Sequence, residues 1–219
     1  MITLETLRDN EAINSYITAA DRSLAALGYT EHSYPHVLRV AETAAYILRS
    51  TGHEEHEIQL ARVAAYLHDI GNLVNRVDHS QSGAVMAFRI LDKMDMPPQD
   101  LATVVTAIGN HDEGTGVPVD DVAAALILAD KSDVRRSRVR NADAATFDIH
   151  DRVNYSVRSS KLTVNAENHQ VTLTLDVDTA YGSIMDYFEI FLERMVLCRK
   201  AAQKLGLDFK LVINGQQLI

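Results

Sequence analysis

The sequence predicts a mainly α protein, a helical bundle that carries a small C-terminal α+β appendage. Three observations lead there. Between residues 9 and 135 apolar side chains recur at three- and four-residue spacing, the period of a helix with one buried face. Short breaks rich in Gly, Pro and Asp separate these stretches. After about residue 146 the pattern changes to alternating apolar and polar residues around a turn.

Taken in order, residues 10–27 place Ile13, Ile17, Ala20, Leu24 and Leu27 on one stripe, and Gly28 stops the helix. Ser33 is positioned to cap a second helix with Pro35 in its first turn; Val37, Val40, Ala44 and Leu48 face inward, and Gly52 ends it. A third helix spans about 54–70 and closes at Gly71. Asp78 followed by Gln81 resembles a capping box that opens a fourth helix over 79–94. Pro97-Pro98 separates it from a fifth over 99–111, which the Gly114-Thr115-Gly116 turn ends. Pro118 and Asp120-Asp121 open a sixth, which carries Asp130 and continues toward Arg138. Further on, Leu162-Thr163-Val164 and the alternating stretch 171–175 read as a β-hairpin about residues 165–169. Residues 184–205 form an amphipathic helix, and 209–213 a short strand before Asn214-Gly215. The change of texture divides the chain into a helical unit, 1–146, and an α+β appendage, 147–219.

Composition narrows the class. With 219 residues the chain can bury a sizeable core. No apolar run approaches the roughly 20 residues needed to span a bilayer, so no membrane partner is expected. The N-terminus lacks the basic-then-apolar pattern of a secretory signal, and the single Cys198 excludes an internal disulfide framework. Together these point to a cytoplasmic protein. A net charge of −9 argues against coating nucleic acid through its phosphates, but not against a small anionic ligand held by a local basic cluster. A homodimer is compatible with all of this.

The chemistry lies in six side chains: His36, His68, Asp69, His79, His111 and Asp130. His68-Asp69 ends the apolar run 61–67, and Asp130 ends the apolar run 122–129. A carboxylate in such a position is costly unless it is paired or binds a cation. Imidazoles and carboxylates together suit divalent iron, manganese, cobalt, nickel or zinc better than magnesium. A lone His is more often a surface or satisfied core residue. The doublet combined with His36 at a helix start and Asp130 at the end of a buried helix is far more specific.

In order and spacing, the stretch from His36 to Arg138 resembles the HD-domain superfamily, named for its His-Asp doublet. Ala65-Tyr66-Leu67-His68-Asp69-Ile70-Gly71 is close to that family's helix-ending signature. The resemblance implies that His36, His68, Asp69 and Asp130 hold a first metal. His79 in Asp-His-Ser-Gln-Ser-Gly and His111 in Gly-Asn-His-Asp-Glu match the extra histidines of dinuclear members. There Asp69 would bridge two ions, with His79 and His111 on the second. Asn72 departs from the pattern, because many members carry Lys after the glycine. The other five histidines are left outside the site, with His32 read as a solvated residue near its mouth.

The best-known members are metal-dependent phosphohydrolases, so the implied activity is hydrolysis of a phosphate ester or anhydride of a nucleotide or another small phosphorylated metabolite. Asp69 and Lys131 would be catalytic. Lys131, Arg135, Arg136, Arg138 and Arg140 crowd ten positions of an acidic chain. This is either a solvated face paired with Asp133 and Asp143 or a phosphate-facing rim. Substrate contacts are expected from Lys131, Arg135, Arg39 and Arg76, with Asp112 or Glu113 as a proton acceptor. Two other readings fit the same ligands: a di-iron oxygenase, and a non-catalytic metal-stabilised regulatory module.

Overall fold

Helix starts fall where an oxygen can accept the unpaired backbone N–H groups of a first turn. The computed structural model describes residues 2–219. Its first helix, α1 (Leu4–Arg8), was not foreseen; Thr3 caps it, and it buries Leu4 and Leu7. In α2 (Glu11–Ala26), Asn10 Oδ1 accepts from Ala12 N at 3.0 Å and Ile13 N at 3.2 Å. Ile13, Ile17, Ala20 and Leu24 are buried as the stripe predicts, whereas Leu27 lies beyond the helix and is exposed. Ser33 does precede α3 (Tyr34–Ser50), but its hydroxyl donates to Glu31 Oε1 and does not cap the helix.

The buried helix α4 (Glu55–Leu67) ends earlier than its periodicity suggests, and a 3₁₀ turn at Ile70–Leu73 follows. Asp78, before α5 (His79–Asp92), adopts a left-handed φ of 55° and makes no side-chain cap, so the expected capping box is absent. Gln81 instead donates to Gly109 O at 2.7 Å, which ties α5 to the end of α6 (Pro98–Gly109). Asp120 caps α7 (Asp121–Ser132), accepting from Ala123 N at 2.7 Å. This helix stops well short of Arg138. Residues 122–129 are buried on all sides, so α7 is the axis of the bundle, and α3, α4, α6 and the later α9 pack around it.

Beyond a short helix that the alternation did not announce, α8 (Ile149–Ser156), the hairpin forms as expected from β1 (Val157–Asn165) and β2 (Gln170–Val177). A capping box of Ser183 and Asp186 starts α9 (Ile184–Lys204). The chain then returns as β3 (Asp208–Ile213), parallel to β2, and β4 (Gln216–Gln217) completes a sheet of order β1-β2-β3-β4. The pairs Val171–Phe209, Leu173–Leu211 and Leu175–Ile213 turn one apolar face of this sheet inward. That face and Tyr187, Phe191, Met195 and Cys198 of α9 join the bundle core in one continuous cluster. Each such fully buried side chain contributes roughly 1.5–3 kcal/mol, so the C-terminal segment closes over α7 as part of the same core. Among the described residues no helix is long and apolar enough to cross a membrane.

Candidate metal centre

His68 occupies the C-cap of α4, and the backbone leaves the helical path at Asp69 (φ −93°, ψ 2°). A continuing helix would swing these neighbours about 100° apart. The two side chains nevertheless converge at their tips, with His68 Nε2 3.2 Å from Asp69 Oδ2. Gly71 allows the next step. A Cβ there would stand 2.0 Å from His79 O and 2.4 Å from Gly83 N, so only glycine lets the doublet turn pack on the start of α5. That packing sets His79 Nε2 3.5 Å from Asp69 Oδ1. His36 enters from the first turn of α3, His111 from just beyond α6, and Asp130 from the last turn of α7.

The four imidazoles are oriented alike. His36 Nδ1 donates to Asp133 Oδ2 at 2.8 Å, His68 Nδ1 to Ala65 O at 2.7 Å, His111 Nδ1 to Ile108 O at 2.7 Å and His79 Nδ1 to Arg76 O at 3.1 Å. With each Nδ1 proton committed, neutral rings turn their Nε2 lone pairs inward. His36 Nε2 then stands 3.3 Å from His68 Nε2, and His79 Nε2 stands 3.2 Å from His111 Nε2. Asp69 Oδ2 lies 3.5 Å from His36 Nε2 and 3.2 Å from His68 Nε2, and Asp130 Oδ1 lies 3.4 and 3.6 Å from the same two atoms. Asp69 Oδ2 is buried without a hydrogen-bond donor.

Arg76 Nη1 approaches His79 Nε2 at 3.1 Å and Lys131 Nζ approaches Asp130 Oδ2 at 2.8 Å, but the remaining acceptors face one another and repel unless a cation sits among them. The donor set therefore fits divalent metal ions held by imidazole nitrogen and carboxylate oxygen. His36, His68 and Asp130 each offer an atom within 4.8 Å of the others, as do His68, Asp69 and His111, so the two groups share His68. Asn72 supports the arrangement by donating to Asp69 Oδ1 at 3.0 Å and Asp69 O at 2.9 Å.

Electrostatics repeat this demand for positive charge. Burial opposes charging His68, but Asp69 and Asp130 outweigh it and push its pKa up to about 10. Burial would likewise raise the two carboxylates, yet both are held well below the usual range. His68 and His36 do this for Asp69, and Lys131 with the same histidines does it for Asp130. His79 and His111 move the other way, chiefly through burial, toward the neutral form in which an imidazole can bind a metal.

The inner cavity is small, about 20 Å³, and lined entirely by polar side chains, including Asp69, His79, His111, Asp130, Lys131 and Arg194. Four of its residues, His32, Arg76, Arg138 and Arg194, also line an outer cleft of about 460 Å³, within the size range of small-molecule sites. Lys131 and Arg76 are thus brought to the site. Arg39 and Arg135 are not. Arg39 donates to Asp133 Oδ1 at 3.1 Å and Ser160 O at 3.2 Å, and it borders a separate surface cleft. Arg135 donates to Asp133 Oδ1 at 2.9 Å and Glu31 Oε2 at 3.3 Å. The basic run as a whole is a set of ion pairs more than a rim: Arg136 joins Asp178, and Arg140 joins Asp21.

Glu113 lies between Lys131 Nζ at 3.1 Å and Arg194 Nε at 2.7 Å, and this pairing keeps it ionised and engaged. His32, read from the sequence as solvated, is half-buried and stands with its ring 5.5 Å from that of His36. Asp133 and Arg194 went unread as site residues. Asp133 sits in the basic run that the sequence marked, whereas no sequence signal ties Arg194 to residues some sixty positions earlier.

A family model for the HD domain matches residues 34–144, just over half of the chain. An uncharacterized protein of Methanocaldococcus jannaschii is 27% identical over 170 residues, 67% of this chain and 65% of its own length. The chain thus spans slightly under two thirds of that relative. A crystal structure of a predicted HD superfamily hydrolase from an uncultured Thermotogales bacterium is 26% identical, with a TM-score of 0.42 over 62% of this chain and 75% of its own.

Proposed function

The chain belongs to the HD-domain family, and from that premise we propose that it is a metal-dependent phosphohydrolase acting on a small phosphorylated metabolite, a nucleotide being one candidate. The observation that carries this reading is the cage of inward lone pairs and carboxylates at the floor of a cleft whose inner wall is cationic. His36, His68, Asp69 and Asp130 would hold one ion, and His79 and His111 would hold a second, with Asp69 between the two. Ions held there would supply Lewis-acid chemistry, polarising a phosphoryl oxygen, offsetting developing charge and acidifying a nucleophilic water.

The chain's own residues supply the rest. Asp133, Ala65 O, Ile108 O and Arg76 O fix the imidazole tautomers. Lys131 Nζ, 2.8 Å from Asp130 Oδ2, stays charged because Asp130 and Glu113 outweigh its burial. Lys131 and Arg76 add positive charge to the wall of the inner cavity, beside the carboxylates they pair with or face.

The test is release of inorganic phosphate from a panel of nucleotides and other phosphate esters by protein replete in manganese or iron. Turnover on at least one ester, abolished by chelation and by Asp69→Ala, is expected. Metal-replete protein that releases phosphate from none of them overturns the reading.

A further inference from the structure

We propose that Arg194, delivered by α9 from outside the HD-matched residues 34–144, is the residue that grips the substrate phosphate; this rests on the phosphohydrolase reading above. Four cations line the inner cavity, and their hydrogen bonds distinguish them. Lys131 is neutralised by two carboxylates, Asp130 at 2.8 Å and Glu113 at 3.1 Å. Arg138 spends Nε on Glu31 O and Nη1 on Asp133 O, which makes it a brace between loops. Arg76 sets Nη1 against the His79 ring, 3.1 Å from Nε2.

Arg194 alone among these keeps both terminal nitrogens unengaged among the described residues. Its single bond uses Nε, on Glu113 Oε1 at 2.7 Å. Phe191 lies beneath the guanidinium, with the ring centroid 4.1 Å away. Nε anchored at one edge and a ring under one face leave the Nη1/Nη2 edge as a preorganised fork. That shape matches two oxygens of a phosphate, as an ammonium does not.

Placement agrees with this role. Arg194 borders both the inner cavity and the outer cleft, so a phosphate entering through the cleft passes it. Phe191 and Tyr187 seat this part of α9 in the shared core, which anchors the helix that carries the fork. The segment after residue 146 therefore supplies a working part of the site.

The experiment is calorimetric titration of inorganic phosphate into full-length protein loaded with Mn²⁺, for the wild type, Arg194→Gln, Arg194→Lys and Glu113→Gln. Losing a charge-assisted bidentate contact should weaken phosphate binding by about 10- to 100-fold in Arg194→Gln, with Mn²⁺ content and circular dichroism unchanged. Arg194→Lys should fall between, because a point charge replaces the fork. Glu113→Gln should bind phosphate at least as tightly as the wild type, since it removes a competing carboxylate. Wild-type affinity in Arg194→Gln overturns the proposal, and so does an equal loss in Glu113→Gln, which would reduce Arg194 to a support for Glu113. If Arg194→Gln does not fold, unchanged affinity in Arg194→Lys overturns it. A metal-loaded wild type that binds no phosphate overturns the phosphohydrolase reading itself, a result distinguishable from the others.

Discussion

Replacing Asp133 by Ala probes the support beneath the site without touching a proposed ligand. Asp133 is 2% exposed and accepts from His36 Nδ1 at 2.8 Å, Arg135 Nε at 2.9 Å and Arg39 Nε at 3.1 Å, with Arg138 Nη1 at 3.9 Å. Burial would raise its pKa, but His36 and the arginines hold it below the usual carboxylate range. Removing one partner of a buried ionic group costs about 3–5 kcal/mol, because the other charges stay behind. The lower end applies here. The Arg39 side chain is half-exposed, so its pair is worth roughly 0–1 kcal/mol, and Arg138 retains its bonds to Glu31 O and Asp133 O. A loss of about 3 kcal/mol in a chain of this length lowers Tm by roughly 6–12 °C. His36 would also lose the acceptor that fixes its tautomer, which should weaken metal binding about 10- to 100-fold. Asp133→Asn keeps an acceptor and should lose less of both. Thermal melts and competition against a chelator measure the two effects. Asp133→Ala with wild-type metal affinity would refute the role given to the Asp133–His36 contact.

Other outcomes follow from the same geometry. Gly71→Ala forces a methyl group to within 2.0 Å of His79 O, so it should cost about 1–3 kcal/mol or more and impair metal binding, read by melting and metal analysis; an unperturbed variant would contradict the packing of the doublet turn on α5. Cys198 is buried, and its thiol is pushed up to about 12, first by that burial. Disulfide reagents at pH 8 should therefore label the native protein only as fast as it opens, and immediate labelling of folded protein would show that α9 is not seated as described. His79→Ala and His111→Ala should each keep the fold and lose about one of two bound ions by elemental analysis, whereas loss of both would merge the two clusters into a single site.

How far the sequence reached depended on where each signal was written. The candidate ligands were legible because every one closes or opens an apolar helical stretch, where an unpaired polar group is expensive; Asp69 after residues 61–67 and Asp130 after 122–129 stand out on that ground. Helix ends were less legible. Stopping α4 at Leu67 depends on Gly71 meeting the backbone of α5, a tertiary contact that no local period carries. The two readings of the arginine run, paired face or phosphate-facing rim, could not be separated locally for the same reason. Glu31, Asp21 and Asp178 each lie dozens of residues away, and their pairing turns a dense basic stretch into ties that hold the fold together. In Arg194 the converse holds: an ordinary basic position on an amphipathic helix becomes part of the cavity wall once α9 packs on α7.

Elemental analysis of protein purified without chelators and then metal-loaded reads out whether two aspartates and four histidines form one site for two divalent ions. About two ions per chain are expected in the wild type and close to none in Asp69→Ala, whose carboxylate faces His36 and His68 on one side and His79 on the other. Full metal retention by Asp69→Ala, or a wild type that binds no divalent metal, would contradict such a site.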